Sequence, residues 1–370
     1  MKIGVPKEVK SQENRVGMTP SGVHHLVERG HEVLVQTGAG AGSRIADAEF
    51  LGAGAKLAGV DDVWADTELI VKVKEPIASE YHYLRPGQTV FTYLHLAADK
   101  PQTEALMSSG TTSIAYETVE LDDGSLPLLS PMSEVAGRMS LIVGSHAMLR
   151  HFGGRGALVP GVPGVAPAKV VVLGAGVAGG NAAQMAHGLR ADVTVLDVNL
   201  ERLVQLDKEF DGHLKTLFST GYSVRQAVAD ADIVIGSVLV TGGRAPCLVT
   251  HEMMLEAKAG SVWVDISVDQ GGCFEDTHPT THAEPTYQVG EAVVYAVGNM
   301  PGAVPISSTY ALTNATLRYV TDLADRGWRE AMVANPALAR GLSTHGGALT
   351  CAPVGEFWGF DSTPVESVLA

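Results

Sequence analysis

The chain has 370 residues, 45% of them hydrophobic and 42 of them glycine, which is too long for one ordinary core and suits two domains. Lysine and arginine number 26 against 41 acidic residues, a formal net charge of −15. That balance excludes an extended nucleic-acid or anionic-membrane surface but permits a local cationic cluster for a small anion. No apolar run reaches the roughly 18 residues of a membrane span, and the opening MKIGVPKE lacks a signal-peptide apolar block. Cys247, Cys273 and Cys351 are far apart and form no C-x-x-C pair. The expectation is a reduced, cytoplasmic protein with no zinc site, no nucleic-acid partner and no membrane partner.

In chain order, KIGVP reads as a strand and TPSGVHHLVERG as a helix, with Thr19 as N-cap, Pro20 at the first helical position and Gly30 as the stop. HEVLVQT follows as a strand, DAEFLGAGA as a short helix, LIVKVK as a strand, SEYHYL as a helical turn and TVFTYLH as a strand. KPQTEALMSSG is a helix and TSIAYET a strand. Strands spaced by short helices predict a doubly wound parallel sheet. Residues 130–150 form a long helical pattern suited to a linker, and GGRGALVPGVPGVAPA is a Gly/Pro-rich loop. A second alternation runs from KVVVLG to SVWVDIS. After residue 306 the pattern turns helical, with no strand of its own, and is expected to cross back onto the first domain. The fold class is therefore α/β, with two Rossmann-like doubly wound parallel-sheet domains. A discontinuous domain spans 1–128 and 307–370, and a central one spans 129–306.

VVVLGAGVAGGNAAQMA places Gly174, Gly176 and Gly179 in a G-x-G-x-x-G pattern after an apolar strand and at the opening of a helix. Gly174 permits the tight turn, Gly176 lets backbone approach a pyrophosphate, and Gly179 allows close helix–strand packing. The helix N-terminus supplies N–H donors and partial positive charge. Asp197, closing the next strand, VTVLD, accepts hydrogen bonds from ribose hydroxyls and repels a 2′-phosphate, so the pattern predicts NAD over NADP. Val238 and Leu239, ending DIVIGSVLV, line the same crevice, as do Asp265 and Asp269 in SVWVDISVDQGG.

The same rule applies to the first domain, because ligands of open α/β sheets bind outside the carboxyl ends of the strands. Lys74 closes LIVKVK, His95 closes TVFTYLH, and Arg15 lies in the segment leaving the first strand. These groups suit a carboxylate substrate. Lys72 and Lys74 share a face at period two, but Lys74 is at the carboxyl end and Lys72 inside. Lys74 is thus expected to be ligand-facing, within reach of Arg15 and His95, and Lys72 to be a solvent-facing edge charge.

Taken together, PKEVKSQENRVGMTP, KVKEP, FTYLHLA, SEVAGRMS, VVLGAGVAGGNAA, DQGG, NMPGAVP and STYALTNAT resemble the alanine dehydrogenase family over essentially the whole chain. The first motif also resembles the soluble α-subunit of proton-translocating transhydrogenase and, distantly, saccharopine dehydrogenases. The resemblance implies NAD-dependent reversible oxidative deamination of L-alanine to pyruvate and ammonia, in a hexamer. It implies that Arg15 and Lys74 bind the substrate carboxylate and carbonyl oxygen, and that His95 and Asp269 are an acid–base pair. On the cofactor side it implies Ser133 near the nicotinamide or phosphate end, Val177 and Ala178 at the pyrophosphate turn, and Asp197 at the adenosine ribose. Arg202, Ser219, Val238, Leu239, Ile266, Ser267, Val268, Asp269, Val297, Gly298, Asn299 and Met300 complete that shell. In the loop after QGGCFE this chain has His278 where many members carry arginine. Asp322 and Arg326 occupy positions where some members pair an acid with a histidine for a metal, so no metal is expected there.

Overall fold

Short apolar runs alternating with capped helices build two sheets, each mostly parallel. The computed structural model describes residues 1–238 and 245–370. It divides into one unit of Met1–Met132 with Val304–Ala370 and another of Ser133–Ala303. The first unit opens with β1 (Lys2–Val5), β2 (Glu32–Gln36), β3 (Lys56–Ala58), β4 (Leu69–Val71), β5 (Thr89–Thr92) and β6 (Thr112–Ala115). The second contains β7 (Lys169–Leu173), β8 (Asp192–Asp197), β9 (Lys215–Phe218), β10 (Ile233–Gly236), β11 (Val262–Asp265), β12 (Thr286–Val289) and β13 (Ala292–Tyr295). The chain then returns to the first unit with the helix Pro305–Arg326, β14 (Leu342–His345) and β15 (Ala348–Leu349).

The first sheet is ordered β15-β14-β6-β5-β4-β1-β2-β3 and the second β12-β13-β11-β10-β7-β8-β9. β1 to β6 are parallel, with β14 and β15 added antiparallel; in the second sheet only β12 is antiparallel. Each sheet therefore reverses direction of growth next to its first strand, at β1/β4 and at β7/β10. Such reversals open a crevice at the carboxyl ends of the strands.

The cores follow from the burial of these runs. In the first unit Val63, Trp64, Ile70, Val90, Leu94 and Leu106 pack in one cluster. In the second, Val171, Leu173, Val234, Trp263 and Phe274 do so. Each such side chain contributes about 1.5–3 kcal/mol on full burial. The helix Pro20–Glu28 begins as its sequence predicts, with Thr19 Oγ1 accepting from the Gly22 amide at 3.4 Å and Pro20 in the first turn. No helix among the described residues is long and apolar enough to cross a membrane.

Three expectations about elements need correction. The strand expected over LIVKVK is shorter and ends at Val71; the Lys72 amide still donates to the Phe91 carbonyl at 3.2 Å, and beyond it the Glu8 carboxylate takes the amides of Val73 at 2.7 Å and Lys74 at 3.4 Å. The helical pattern expected after residue 306 is broken within WREAMVANPALARGL into two helices, Trp328–Ala334 and Pro336–Arg340, divided where Asn335 caps the second and proline cannot continue the first. The region after residue 306 does contain strands: β14 and β15 form a hairpin on the edge of the first sheet. Its turn, Gly346-Gly347, has φ of 56° and 92°, a left-handed pair that glycine adopts without strain. Helices Ala352–Trp358 and Val365–Leu369 occupy most of the C-terminal segment.

Candidate active site

In the first unit the reversal at β1/β4 gathers cationic groups on one rim. The loop after β1 passes over the end of β4 so closely that a Cβ on Gly17 would lie 2.6 Å from the Val71 carbonyl oxygen. That crossing brings Arg15 to the same rim as the β4 exit. Arg15 is 2% exposed. Its Nε and Nη2 donate to Glu13 Oε1 and Oε2 at 2.7 and 2.6 Å, and Nη1 approaches Met132 Sδ at 3.0 Å. Burial opposes the guanidinium charge, but the hydrogen bonds and field of Glu13 outweigh it and raise its pKa.

Lys74 is 8% exposed. Its amide and carbonyl are used by Glu8 and Thr92, but its ammonium makes no hydrogen bond or ion-pair contact among the described residues. An ammonium with no such contact suits an anionic or carbonyl ligand. The neighbouring Glu75 feels burial, which raises its pKa, but Lys74, Lys10 and His95 outweigh this and hold it below the ordinary carboxylate range. Lys74 and His95 are thereby placed around one carboxylate, and Lys10 forms an ion pair with it.

Lys72 corrects the expectation made for it. It is fully buried, with its ammonium 2.7 Å from Glu80 Oε1 and 3.4 Å from Glu8 Oε2. Period two put both lysines on one face, and the Lys72 amide still donates to the Phe91 carbonyl at 3.2 Å, but its side chain meets the carboxylates of Glu80 and Glu8 rather than solvent.

His95 follows β5 with φ 49° and ψ 43°, a left-handed conformation that costs a non-glycine residue about 1–2 kcal/mol. The turn is held from several sides. The Glu117 carboxylate, leaving β6, accepts the His95 amide at 2.6 Å and the Leu94 amide at 3.1 Å. The imidazole stacks on Tyr93 with centroids 5.8 Å apart, and its Nδ1 lies 3.9 Å from Glu117 Oε1. Tyr93 in turn donates to the Leu128 carbonyl at 2.6 Å and lies within the field of Arg15.

In the second unit the reversal at β7/β10 carries the glycine pattern. Gly174 has φ 101°, and a Cβ on Gly179 would stand 1.8 Å from the Gly174 carbonyl oxygen, so only glycine fits there. A Cβ on Gly176 would meet nothing within 4 Å, leaving open space at the N-terminus of the helix Val177–Gly188, where Val177 is 40% exposed and Ala178 half-buried. Ser133 lies one turn before Gly137, whose Cβ position falls 2.1 Å from the Ala178 carbonyl oxygen. Asp197 accepts from the amides of Ala175 and Asn199, and its remaining lone pairs suit further donors. Arg202 Nε donates to the Ala175 carbonyl at 3.0 Å, and the Ser219 amide donates to the Asp197 carbonyl at 2.9 Å. These features fit a dinucleotide: room at the pyrophosphate turn and an acid at the ribose position.

The ends of β10, β11 and β13 meet on the same rim. Ser267 Oγ donates to the Val238 carbonyl at 2.7 Å, and Asp269 Oδ2 accepts the Asn299 amide at 2.9 Å. A Cβ on Gly298 would lie 2.5 Å from Asp269 Oδ1. The side chains of Val268, Val297 and Met300 are buried and Ile266 is half-buried, so these positions offer mainly backbone. Leu239 lies outside the described residues. His278 is stacked on Tyr287 at 3.8 Å. Asp265 is structural: it is buried, accepts Ser267 N at 2.9 Å and Cys273 N at 3.0 Å, and burial raises its pKa.

Glu13, Glu75, Tyr93 and Glu117 were missed by the sequence reading. Only Glu13 left a signal, as the acid two residues before Arg15 in a non-helical stretch; the others are brought in by strands adjacent in space.

Residues 4–136 match the model described as alanine dehydrogenase/PNT, N-terminal domain, and residues 140–352 match its C-terminal domain. The chain is 57% identical over 371 residues to the alanine dehydrogenase of Mycobacterium tuberculosis (strain ATCC 25618 / H37Rv), covering 100% of both chains. It is 54% identical over the full length of both to that of Halomonas elongata. Among solved structures, an L-alanine dehydrogenase superposes with a TM-score of 0.92 at 49% identity, covering 100% of each chain. A transhydrogenase from Sinorhizobium meliloti superposes with a TM-score of 0.80 at 28% identity, covering 94% of this chain and 98% of that one.

Proposed function

The chain belongs to the alanine dehydrogenase/PNT family and is an oxidoreductase of the alanine–pyruvate interconversion; we propose that NAD is its hydride carrier and that Lys74, Arg15, His95 and Asp269 carry the chemistry. The observation that carries the residue assignment is Lys74, a residue only 8% exposed whose ammonium has no hydrogen-bond or ion-pair contact among the described residues. The first unit is the substrate domain and the second the NAD domain. Assembly as a cytoplasmic homohexamer follows the family resemblance and is tested by sedimentation.

NAD, when bound, supplies the acceptor for the α-hydride of L-alanine. Gly174, Gly176 and Gly179 shape its pyrophosphate turn. Asp197 reads its ribose, and Ser133, Arg202, Ser219, Val238, Ile266, Ser267 and the Val297–Met300 segment complete its binding. Lys74 binds the substrate oxygen and stabilises negative charge developing there. Arg15 orients the carboxylate. Its charge is discounted by Glu13, which leaves Lys74 as the main anion-binding group. Loss of the hydride gives an iminium, water adds, and the carbinolamine collapses to pyruvate and ammonia. His95 takes the proton from the attacking water and returns one to the leaving amine, a task that suits an imidazole, which can both accept and donate a proton. Asp269, the second proton-handling group, is held by the Asn299 amide.

Purified protein mixed with NADH, pyruvate and ammonium is expected to consume NADH rapidly, with dependence on both co-substrates. NADH binding without turnover would overturn the assignment in favour of a transhydrogenase-like subunit. Asp197→Ala is expected to lower the preference for NAD over NADP by about ten- to hundredfold, the scale of one hydrogen bond to a charged group plus a relieved repulsion. An unchanged ratio of kcat/KM values would show that Asp197 does not read the ribose.

A further inference from the structure

The left-handed turn at His95 is fixed on its far side by a residue from the end of the chain. The Leu96 carbonyl accepts two hydrogen bonds, from Thr103 Oγ1 at 3.0 Å and from Trp358 Nε1 at 2.9 Å. The Leu94 carbonyl accepts Gln102 Nε2 at 2.8 Å. Gln102 and Thr103 belong to the helix Lys100–Ser109, directly after the turn. Trp358 lies 262 residues after Leu96.

Trp358 is itself held in place. Lys100 Nζ lies 6.0 Å from the centroid of its ring and 5.1 Å from that of Phe360, a cation between two aromatic faces. Gly359, with φ 73°, ends the helix Ala352–Trp358 and lets the Phe360 amide reach the Gly355 carbonyl at 2.9 Å. The C-terminal segment thus grips the start of the helix that also supplies Gln102 and Thr103.

We propose that Trp358 is a positioning residue for His95: its indole N–H pins the carbonyl of the next residue and so keeps the strained backbone that aims the imidazole. The proposal rests on the reading of His95 as the proton-handling group. A left-handed histidine persists only where its surroundings over-determine it, and the amides on one side are held by Glu117 while the carbonyls on the other are held by Gln102, Thr103 and Trp358. A small loss of aim at a proton-transfer group lowers turnover more than binding.

The test is Trp358→Phe, which keeps an aromatic ring for Lys100 but removes the donor, compared with His95→Ala and the double variant in NADH-dependent amination of pyruvate. Expected for Trp358→Phe are a kcat lowered about fivefold, the factor of one ordinary hydrogen bond, an unchanged KM for NADH and an unchanged thermal midpoint. In the His95→Ala background the same substitution should cause no further loss. Unchanged kcat in Trp358→Phe while His95→Ala is severely impaired would overturn the positioning role alone. So would equal losses in both backgrounds, or a kcat loss that tracks a fall in thermal midpoint. Near-normal turnover in His95→Ala would instead overturn the reading of His95, and the positioning role with it.

Discussion

Replacing His95 by asparagine is expected to lower kcat for amination of pyruvate by about 10²–10⁴-fold, the contribution of a positioned acid–base group. Asparagine is chosen because it tolerates left-handed backbone nearly as well as histidine, so the φ of 49° is retained and the loss reports proton transfer rather than a relaxed turn. The Glu117 bonds to the amides of Leu94 and His95 use backbone donors and survive the substitution. The thermal midpoint should therefore stay near that of the parent. KM for NADH should also hold, since His95 is not among the residues proposed to bind the cofactor. Steady-state kinetics with saturating ammonium, beside a melting curve, give the answer. Turnover within a few-fold of the parent would remove His95 from the mechanism and leave proton transfer to water or to Asp269.

The parts of this arrangement legible in the sequence were those that local rules determine. Gly174, Gly176 and Gly179 could be read because each glycine answers a short-range steric demand, and the 1.8 Å clash awaiting a Cβ at Gly179 is that demand in coordinates. The rim positions of Lys74 and His95 could be read because strand ends follow from apolar runs. What stayed hidden depends on partners distant in the chain. The conformation of His95 is set by Glu117 from the neighbouring strand and by Trp358 from the far terminus. No periodicity announces a carboxylate from another loop that takes the amides past a strand's end, as Glu8 does with Val73 and Lys74 after β4. The hairpin of β14 and β15 is different. Its Gly-Gly turn between LSTH and AL was present in the sequence and was outweighed by the long helical pattern before it.

Replacing Lys72 by methionine is expected to destabilise the fold by about 3–5 kcal/mol at neutral pH, the usual cost of removing one partner from a buried ion cluster. Methionine has similar length and fills the space, so the loss comes from Glu8 and Glu80, left buried without their cation. Glu8 already shows the tension: burial pushes its pKa up, and the opposing pull of Lys72 and the Val73 amide only partly offsets this. Without Lys72 its folded pKa rises further above the unfolded value. Protonation then favours the folded state, so the stability of the variant is greatest at acid pH and falls as pH rises through the folded pKa. In the parent, the pKa of Lys72 is itself raised, because Glu8 and Glu80 outweigh the burial that lowers it. The cation is therefore constant from acid to neutral pH, and the deficit should widen as pH rises from the ordinary carboxylate range through the raised pKa of Glu8 in urea titrations. Adding Glu8→Gln should recover part of the loss, because the amide oxygen can still accept the Val73 amide while one uncompensated charge disappears. A deficit below about 1 kcal/mol, or one flat with pH, would mean that Lys72 is screened by water and that the cluster does not fix the loop carrying Lys74. The expected slope would instead tie the two lysines together, one buried to hold the loop and the other, with no acceptor among the described residues, to meet the substrate.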